Sequence, residues 1–122
     1  MNKVFKTYVL LIFGFLNLCH SISYSDEKIR IGLLIPITGE NKDLGQQIIK
    51  STRMALKEIG TEKIEIYLKD TNSNPNKTVK SAIELKELGI KIVIGPIFYK
   101  SLAYLDEIDE IIFLSFTNKT LN

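Results

Sequence analysis

The sequence predicts an α/β fold in which a parallel β-sheet lies between two layers of helices. Two observations support this prediction. From residue 26 onward, short apolar runs alternate with longer segments of helical periodicity, and proline or glycine residues mark many of the boundaries. The segments between successive runs are also long enough to be helical crossovers. The resulting order, βαβαβαβ, gives a parallel sheet when the connections are right-handed.

The first strand and the first helix have clear boundaries in the sequence. Residues 29–35 (IRIGLLI) are predicted to form a strand that ends before Pro36. Asp43 is the predicted N-cap of the next helix, with Gln46 three residues later as a variant capping box, and Gly60 is its predicted C′ residue. Residues at spacings of three and four predict one buried stripe. The stripe consists of Leu44, Ile48, Thr52, Ala55, Leu56 and Ile59.

The second strand and helix repeat this pattern. Residues 64–69 (IEIYLK) alternate strictly between apolar and more polar side chains, which is typical of a strand that is fully covered on one face only. We therefore place this strand at an edge of the sheet. Asn74 is the predicted N-cap and Pro75 the first residue of the second helix, which ends before Gly89. Its apolar residues are Val79, Ala82, Ile83, Leu85 and Leu88.

The remaining predicted elements are shorter. Residues 90–94 (IKIVI) predict a third strand, residues 101–107 a short polar helix, and residues 111–116 a fourth strand. The fourth run is almost entirely apolar, which indicates burial on both faces. A flavodoxin-like strand order, 2-1-3-4, places the alternating second strand at the edge. A complete sheet of this kind has a further helix and a fifth strand, so residues 26–122 are predicted to be an incomplete, truncated lobe.

Residues 1–25 have the features of a secretory signal peptide. Lys3 and Lys6 precede an apolar core at residues 8–18, and small residues follow. The apolar run is roughly half the length that crosses a bilayer, so an uncleaved anchor is the weaker alternative. Cys19 is a candidate lipidation site, but Leu18 precedes it where such sites carry Gly, Ala or Ser, and we expect no lipid anchor. The remainder of the chain is therefore predicted to be periplasmic.

The composition argues against most enzymatic chemistry. The only cysteine and the only histidine, Cys19 and His20, lie in or beside the predicted signal peptide. A mature chain without them has no thiol or imidazole for nucleophilic catalysis or for a Cys/His zinc site. Without Lys3 and Lys6 the basic and acidic residues balance at 14 each, so no nucleic-acid partner is predicted. We expect no enzymatic activity, no cofactor and no metal site.

Two acidic features are interpreted as structural. The acidic run before the fourth predicted strand is typical of a solvated helix face, with paired catalytic carboxylates or a cation site as the weaker alternatives. It contains Asp106, Glu107, Asp109 and Glu110. Asp70 follows the second strand, where an aspartate most often accepts backbone N–H groups, and a ligand contact is the alternative.

The loop after the first strand has no phosphate-binding motif. Residues 39–45 lack the glycine spacing of dinucleotide sites and P-loops.

Ligand contacts are predicted at the carboxyl ends of the strands. In open parallel sheets the loops diverge there, and helix N-termini present free N–H donors. Gly95 and Pro96 lead from the third strand into a segment that suits a carboxylate ligand. The predicted ligand-binding residues are Thr38, Gly39, Tyr99, Lys100, Ser101, Ser115, Thr117 and Asn118.

Several segments, taken in order, resemble the first lobe of the type 1 periplasmic binding proteins. They are IGLLIPITG, the helix that contains Gly45, LKDTNSNP, IVIGPIF and FLSFTN, and they cover nearly all of residues 28–122. The resemblance implies two lobes that close on a small ligand, with Thr117 as a ligand contact. Tyr99 stands where the amino-acid receptors of this group have a serine, and Leu44 stands where they often have an aromatic residue.

This resemblance implies two alternative functions. The first is an extracytoplasmic solute-binding protein of the leucine/isoleucine/valine-receptor type. Its partners would be a small molecule such as an amino acid, bound only by a full-length form, and the membrane permease of an ABC transporter. The second is a regulator of cell-wall synthesis similar to the penicillin-binding protein activators, with a cell-wall synthase as its partner.

Overall fold

Strands and helices alternate along residues 27–117, the part of the chain that the computed structural model describes. The strands are β1 (Ile29–Ile35), β2 (Ile64–Asp70), β3 (Ile92–Ile94) and β4 (Ile112–Leu114). The helices are α1 (Lys42–Ile59), α2 (Pro75–Glu87) and the short α3 (Tyr99–Leu102). This order confirms the predicted βαβαβαβ pattern.

The strands form one parallel sheet in the order β2-β1-β3-β4. β1 pairs with β2 along its whole length, from Ile29 opposite Ile64 to Ile35 opposite Asp70. Both the predicted strand order and the predicted edge position of β2 are confirmed. Because all four strands run in the same direction, their carboxyl ends meet at one edge of the sheet.

The helices lie on both faces of the sheet. Leu34 of β1 and Val93 of β3 are fully buried in a cluster with Leu85 of α2, so α2 covers one face. Leu33, the neighbour of Leu34, points to the opposite face and lines a cavity there with Leu56 of α1. The main core is therefore on the α2 side of the sheet. Its buried members are Leu34, Ala82, Leu85, Ile90, Val93 and Leu105.

The helix ends agree only in part with the sequence. The side chain of Asn74 caps α2 by accepting a hydrogen bond from the Lys77 N–H at 3.0 Å, and Gly60 ends α1 at φ 64°, as predicted. The predicted capping box of α1 is wrong. Its N-cap is Asn41, whose side chain makes no capping bond and instead donates to the Ser73 hydroxyl at 2.9 Å. A contact between loops thus replaces a local cap.

The predicted buried stripe of α1 is partly wrong. Leu44 is 39% exposed, Ile59 is 60% exposed, and Ala55 is also exposed. Near the end of β1 the helix packs through Gly45, which is buried close to the carbonyl oxygen of Pro36. That approach turns the row at Gly45, Ile49, Thr52 and Leu56 toward the sheet, so only Thr52 and Leu56 of the predicted stripe line the cavity between α1 and the sheet.

The last elements differ from the prediction in length. The strand predicted at residues 90–94 is confined to Ile92–Ile94, although Ile90 is buried. The short helix spans Tyr99–Leu102 instead of residues 101–107, and turns follow it up to β4. Short helices lack enough internal hydrogen bonds to fix their own boundaries, and here the tertiary packing of the loop decides them.

Burial of the fourth strand on both faces is contradicted. β4 spans Ile112–Leu114 instead of residues 111–116, and only Phe113 faces the main core. Ile112 is 63% exposed and Leu114 is 54% exposed. Apolar composition alone does not decide burial, which requires a covering element, and no helix among residues 27–117 lies over that face of β4.

Truncation of Val93 tests the main core. Val93→Ala is expected to lower the free energy of unfolding by about 2 kcal/mol, because a fully buried side chain loses its contacts and leaves a cavity. Ile83→Ala, in a side chain that is 43% exposed, should change it by less than about 0.5 kcal/mol. Urea unfolding monitored by circular dichroism measures both. Equal effects would contradict the assignment of the main core to the α2 side.

The predicted signal peptide lies outside the described residues and remains a prediction. None of the helices within residues 27–117 has the length and apolar character needed to cross a membrane.

Candidate functional site

The parallel sheet brings the predicted ligand-binding residues to one edge. Thr38 and Gly39 follow β1, residues 99–101 follow β3, and Ser115 and Thr117 follow β4. Asn118 lies outside the described residues. The edge has two parts, because the loops after β1 and β2 contact each other, and so do the loops after β3 and β4.

Asp70 joins the loops that follow β1 and β2. Its Oδ1 accepts hydrogen bonds from the backbone N–H groups of Ile37 at 2.8 Å and Thr38 at 3.2 Å. The N–H of Asn72 also donates to Oδ1, at 2.9 Å, and the amine of Lys77 donates to Oδ2. The structural interpretation of Asp70 is therefore confirmed.

The environment of Asp70 stabilises its charged form. Partial burial on its own would raise the pKa of this carboxyl group. Hydrogen bonds from Lys77, the Thr38 hydroxyl and the N–H groups of Ile37 and Asn72 outweigh that effect and hold the pKa well below its ordinary value. Asp70 is thus a charged anchor for the loops at physiological pH.

This anchor limits what Thr38 can do. Its hydroxyl donates to Oδ2 of Asp70 at 2.6 Å, so the proton of that hydroxyl is already in use. The oxygen of Thr38 remains able to accept a hydrogen bond from a solute. Gly39 has φ 84°, and a Cβ there would lie 2.0 Å from Oδ1 of Asn72. The loop after β1 therefore offers a solute the oxygen of Thr38 as a hydrogen-bond acceptor instead of a hydroxyl donor. Its backbone at Gly39 is closely approached by the side chain of Asn72.

Ser115 joins the loops that follow β3 and β4. Its hydroxyl donates to the carbonyl of Pro96 at 3.2 Å and accepts from the N–H of Thr117 at 3.1 Å. The N–H of Phe116 also donates to Pro96, at 3.3 Å. The Gly95–Pro96 peptide bond is cis. Ser115 thus holds the backbone of Thr117 beside the β3 loop.

Glycine is required where β3 ends. Gly95 has φ 114°, and a Cβ there would lie 2.2 Å from the carbonyl oxygen of Leu34. Only glycine fits so close to the neighbouring strand without moving the backbone. The geometry of this part of the edge is therefore set by backbone packing as well as by side chains.

Several solved structures share this fold. A solute-binding protein of an ABC transporter from Rhodopseudomonas palustris, solved with 3,4-dihydroxybenzoic acid, has a TM-score of 0.61 and 28% identity over 66% of this chain and 23% of its own. A type 1 periplasmic binding protein from Bordetella pertussis has a TM-score of 0.56 and 25% identity, over 65% of this chain and 23% of the Bordetella protein. An ABC transporter substrate-binding protein from Sphaerobacter thermophilus has a TM-score of 0.63 and 22% identity, over 67% of this chain and 24% of its own. At that identity the similarity supports the fold alone.

Curated relatives agree with the structural comparison. Leu/Ile/Val-binding protein homolog 1 of Brucella suis and of Brucella abortus is 37% identical over 71 residues, which are 53% of this chain and 19% of the relative. The chain is similar to a part of the type 1 periplasmic binding proteins in both sequence and fold. It spans about a fifth of the length of these relatives. No family model matches the sequence.

The remaining predicted contacts lie where α3 begins. Lys100 is exposed, and Tyr99 is half-buried. Ser101 is only 2% exposed, which places it in the interior. These residues share the edge with Thr38 and Ser115, and their contact with a solute remains a prediction.

The acidic run before β4 is solvated, as predicted, although it lies in turns and not on a helix. All four acidic residues are exposed. Glu110 accepts a hydrogen bond from Lys91 at 2.9 Å and lies 3.6 Å from Lys86, and the hydrogen bond from Lys91 lowers the pKa of Glu110. Within residues 27–117, no group of acidic, histidine or cysteine side chains is arranged to hold a metal ion.

The sequence did not reveal which group Asp70 would hold. Asp70 and Asn72 mark a turn, but Thr38 lies 32 residues earlier and carries no signal that it pairs with this turn. Only the strand order, with β1 beside β2, makes that pairing visible.

Proposed function

We propose that the chain forms part of the first lobe of an extracytoplasmic solute-binding protein of an ABC transporter. The observation that carries this proposal is the single edge at which the carboxyl ends of all four parallel strands, and the loops that follow them, come together. Open α/β sheets bind ligands at that edge. The similarity to Leu/Ile/Val-binding homologues and to ABC solute-binding proteins supports transport over the cell-wall regulator alternative.

In this proposal the protein binds a small molecule and does not convert it chemically. Residues 1–25 direct export to the periplasm, and residues 26–122 supply part of the first lobe. A second lobe closes over a small molecule such as an amino acid, and a membrane permease recognises the closed form. The proposed contacts are Thr38, Gly39, Tyr99, Lys100, Ser101, Ser115, Thr117 and Asn118.

The chemistry of the edge restricts the solute. Thr38 accepts a hydrogen bond but does not donate one, so the solute group beside it is a donor such as an ammonium or a hydroxyl. Lys100 at the β3 end adds an exposed positive charge that favours a carboxylate on the other side of the solute. An amino acid carries both groups.

Ligand-dependent stabilisation tests the proposal. A longer protein that joins this lobe to a second lobe should gain about 2.7 kcal/mol of stability when a bound amino acid is present at 100 times its Kd. Thr117→Ala should weaken binding at least tenfold, whereas Ser51→Ala, an exposed hydroxyl on α1, should not. The measurement is thermal unfolding against a panel of amino acids and aromatic acids.

Two results would contradict the proposal. One is the absence of any stabilising solute in a folded long form. The other is stabilisation of the chain of 122 residues alone by the same solute, because a single lobe provides only one wall of the cleft. The chain of 122 residues alone is expected to show no solute-dependent shift.

A further inference from the structure

A cavity of about 160 Å³ separates α1 from the half of the sheet that it covers. On the sheet side, Leu33 of β1 is in register with Leu68 of β2, so the two side chains share the face below α1. None of the lining residues belongs to the candidate site at the carboxyl edge, and the cavity is therefore a separate feature. The sheet contributes Leu33, Ile66 and Leu68 to the lining, and α1 contributes Ile49, Thr52 and Leu56.

The interior of this cavity is apolar. Thr52 carries the only hydroxyl among these lining side chains, and that hydroxyl donates to the carbonyl oxygen of Ile48 at 2.9 Å, within the helix. A water molecule needs at least two polar partners to be held in such a space, whereas an apolar cavity of about 150 Å³ accepts a molecule the size of benzene. The cavity therefore suits an apolar group of about six carbon atoms.

A cation stands where the cavity opens at the β2 edge. Arg53 is exposed and lines the cavity together with Leu68, which is itself 41% exposed. Arg53 also lines a shallow depression of about 510 Å³ along the flank of α1, to which Lys50 and Lys57 contribute two further cations. Their spacing of three and four residues places the three cations on one stripe of the helix. The apolar cavity thus opens beside a row of positive charges.

These cations have no acidic partner among residues 27–117. The ion pairs in that part of the chain join other residues. Glu65 of the neighbouring strand β2 lies on the opposite face of the sheet, the face on which Tyr67 packs against the main core. Arg53 and Lys57 are four residues apart, a spacing at which like charges destabilise a helix. An anionic group bound beside Arg53 would offset that repulsion.

We propose that this cavity binds a small amphiphilic anion. The apolar chain of the ligand, of about six carbon atoms, occupies the space between α1 and the sheet, and its carboxylate lies at Arg53. A guanidinium suits this role because it can hold a carboxylate through two parallel hydrogen bonds. A short-chain fatty acid has this chemistry. The inference does not depend on solute binding at the carboxyl edge.

A second copy of the chain fits this surface less well. The Arg53 flank of α1 is turned toward the β2 edge, since Arg53 and Leu68 line the same opening. A two-fold axis at that edge would bring two rows of cations together. The charge of the surface therefore favours an anionic ligand over self-association.

Hexanoate and hexylammonium test the proposal, because they share one chain and differ in charge. In methyl NMR of the chain of 122 residues, hexanoate should shift the signals of Leu56, Ile66 and Leu68 and leave that of Leu85 on the α2 face unchanged. Hexylammonium should bind at least about tenfold more weakly, because it lacks the group that pairs with Arg53. Butyrate, which is two methylene groups shorter, should bind about 15-fold more weakly than hexanoate.

Two kinds of variant separate the charge from the cavity. Arg53→Gln should weaken hexanoate binding at least about fivefold, whereas Lys80→Gln, the same change of charge at an exposed position on α2, should leave it unaltered. Leu56→Phe fills the cavity and should abolish the hexanoate shifts in a protein that stays folded. Thr52→Leu is the second filling variant if Leu56→Phe does not fold.

Three results would overturn the inference. The first is a folded chain whose cavity methyl signals do not move with hexanoate. The second is equal affinity for hexanoate and hexylammonium, because the charge would then play no part. The third is binding that persists in the folded filling variants or falls equally in Lys80→Gln, because the ligand would then lie elsewhere. Hexanoate binding by a protein that binds no amino acid would support the inference and count only against the proposed function.

Discussion

Gly45→Ala is expected to destabilise the protein by about 3 kcal/mol. In an ordinary helix this change is favourable, because alanine is the better helix former by about 1 kcal/mol. Here a Cβ would lie 1.7 Å from the carbonyl oxygen of Pro36 and 2.7 Å from its carbonyl carbon. Both atoms belong to the backbone, so α1 must move away from the end of β1, and residues 37–39 must move with it.

Gly60→Ala is the matched control for Gly45→Ala. Nothing lies within 4 Å of a Cβ at Gly60, so its cost comes only from the left-handed conformation at φ 64° and should be about 1 kcal/mol. Urea unfolding of both variants gives the comparison. If Gly45→Ala were as stable as Gly60→Ala, or more stable than the wild type, the close approach of α1 to Pro36 would be wrong.

Local signals in the sequence predicted the regular elements well. The bounds of β1 were predicted without error, and the Asn74 cap with Pro75 predicted the start of α2. The alternation in β2 predicted its edge position correctly. It did not predict which face is covered, because Leu68 on the apolar face is 41% exposed and Tyr67 on the other face packs against the main core. These features depend on the residues of a single element.

Features that depend on two elements were not predictable in the same way. The rotation of α1 follows from its contact with Pro36, and the apolar residues of its exposed flank look the same in the sequence as buried ones. The exposure of β4 has the same origin, since an apolar strand is buried only where another element covers it. At the candidate site, the position of the loops was predictable but the bond between Thr38 and Asp70 was not.

Asp70→Ala is expected to destabilise the protein by about 3 kcal/mol. The substitution leaves the N–H groups of Ile37 and Asn72 without their acceptor and removes the charged partner of Lys77. Asp70→Asn keeps an oxygen for the backbone donors but carries no charge, so its stability should lie between those of Asp70→Ala and the wild type. The loops after β1 and β2 should separate most in Asp70→Ala, which faster hydrogen exchange at Ile37 would show.

The pH dependence separates the charge of Asp70 from its packing. Because the pKa of Asp70 is lowered in the folded state, its charged form contributes stability above the unfolded pKa of about 3.9, and this contribution is lost as the pH falls below about 4. Asp70→Asn lacks this contribution, so the free energies of unfolding of the wild type and the variant should converge between about pH 4 and pH 2. The pKa values of Glu84 and Glu110 are lowered as well, but both proteins keep these groups, and their effect cancels in the difference. A difference that stays constant over this range would show that Asp70 acts through its shape and not through its charge.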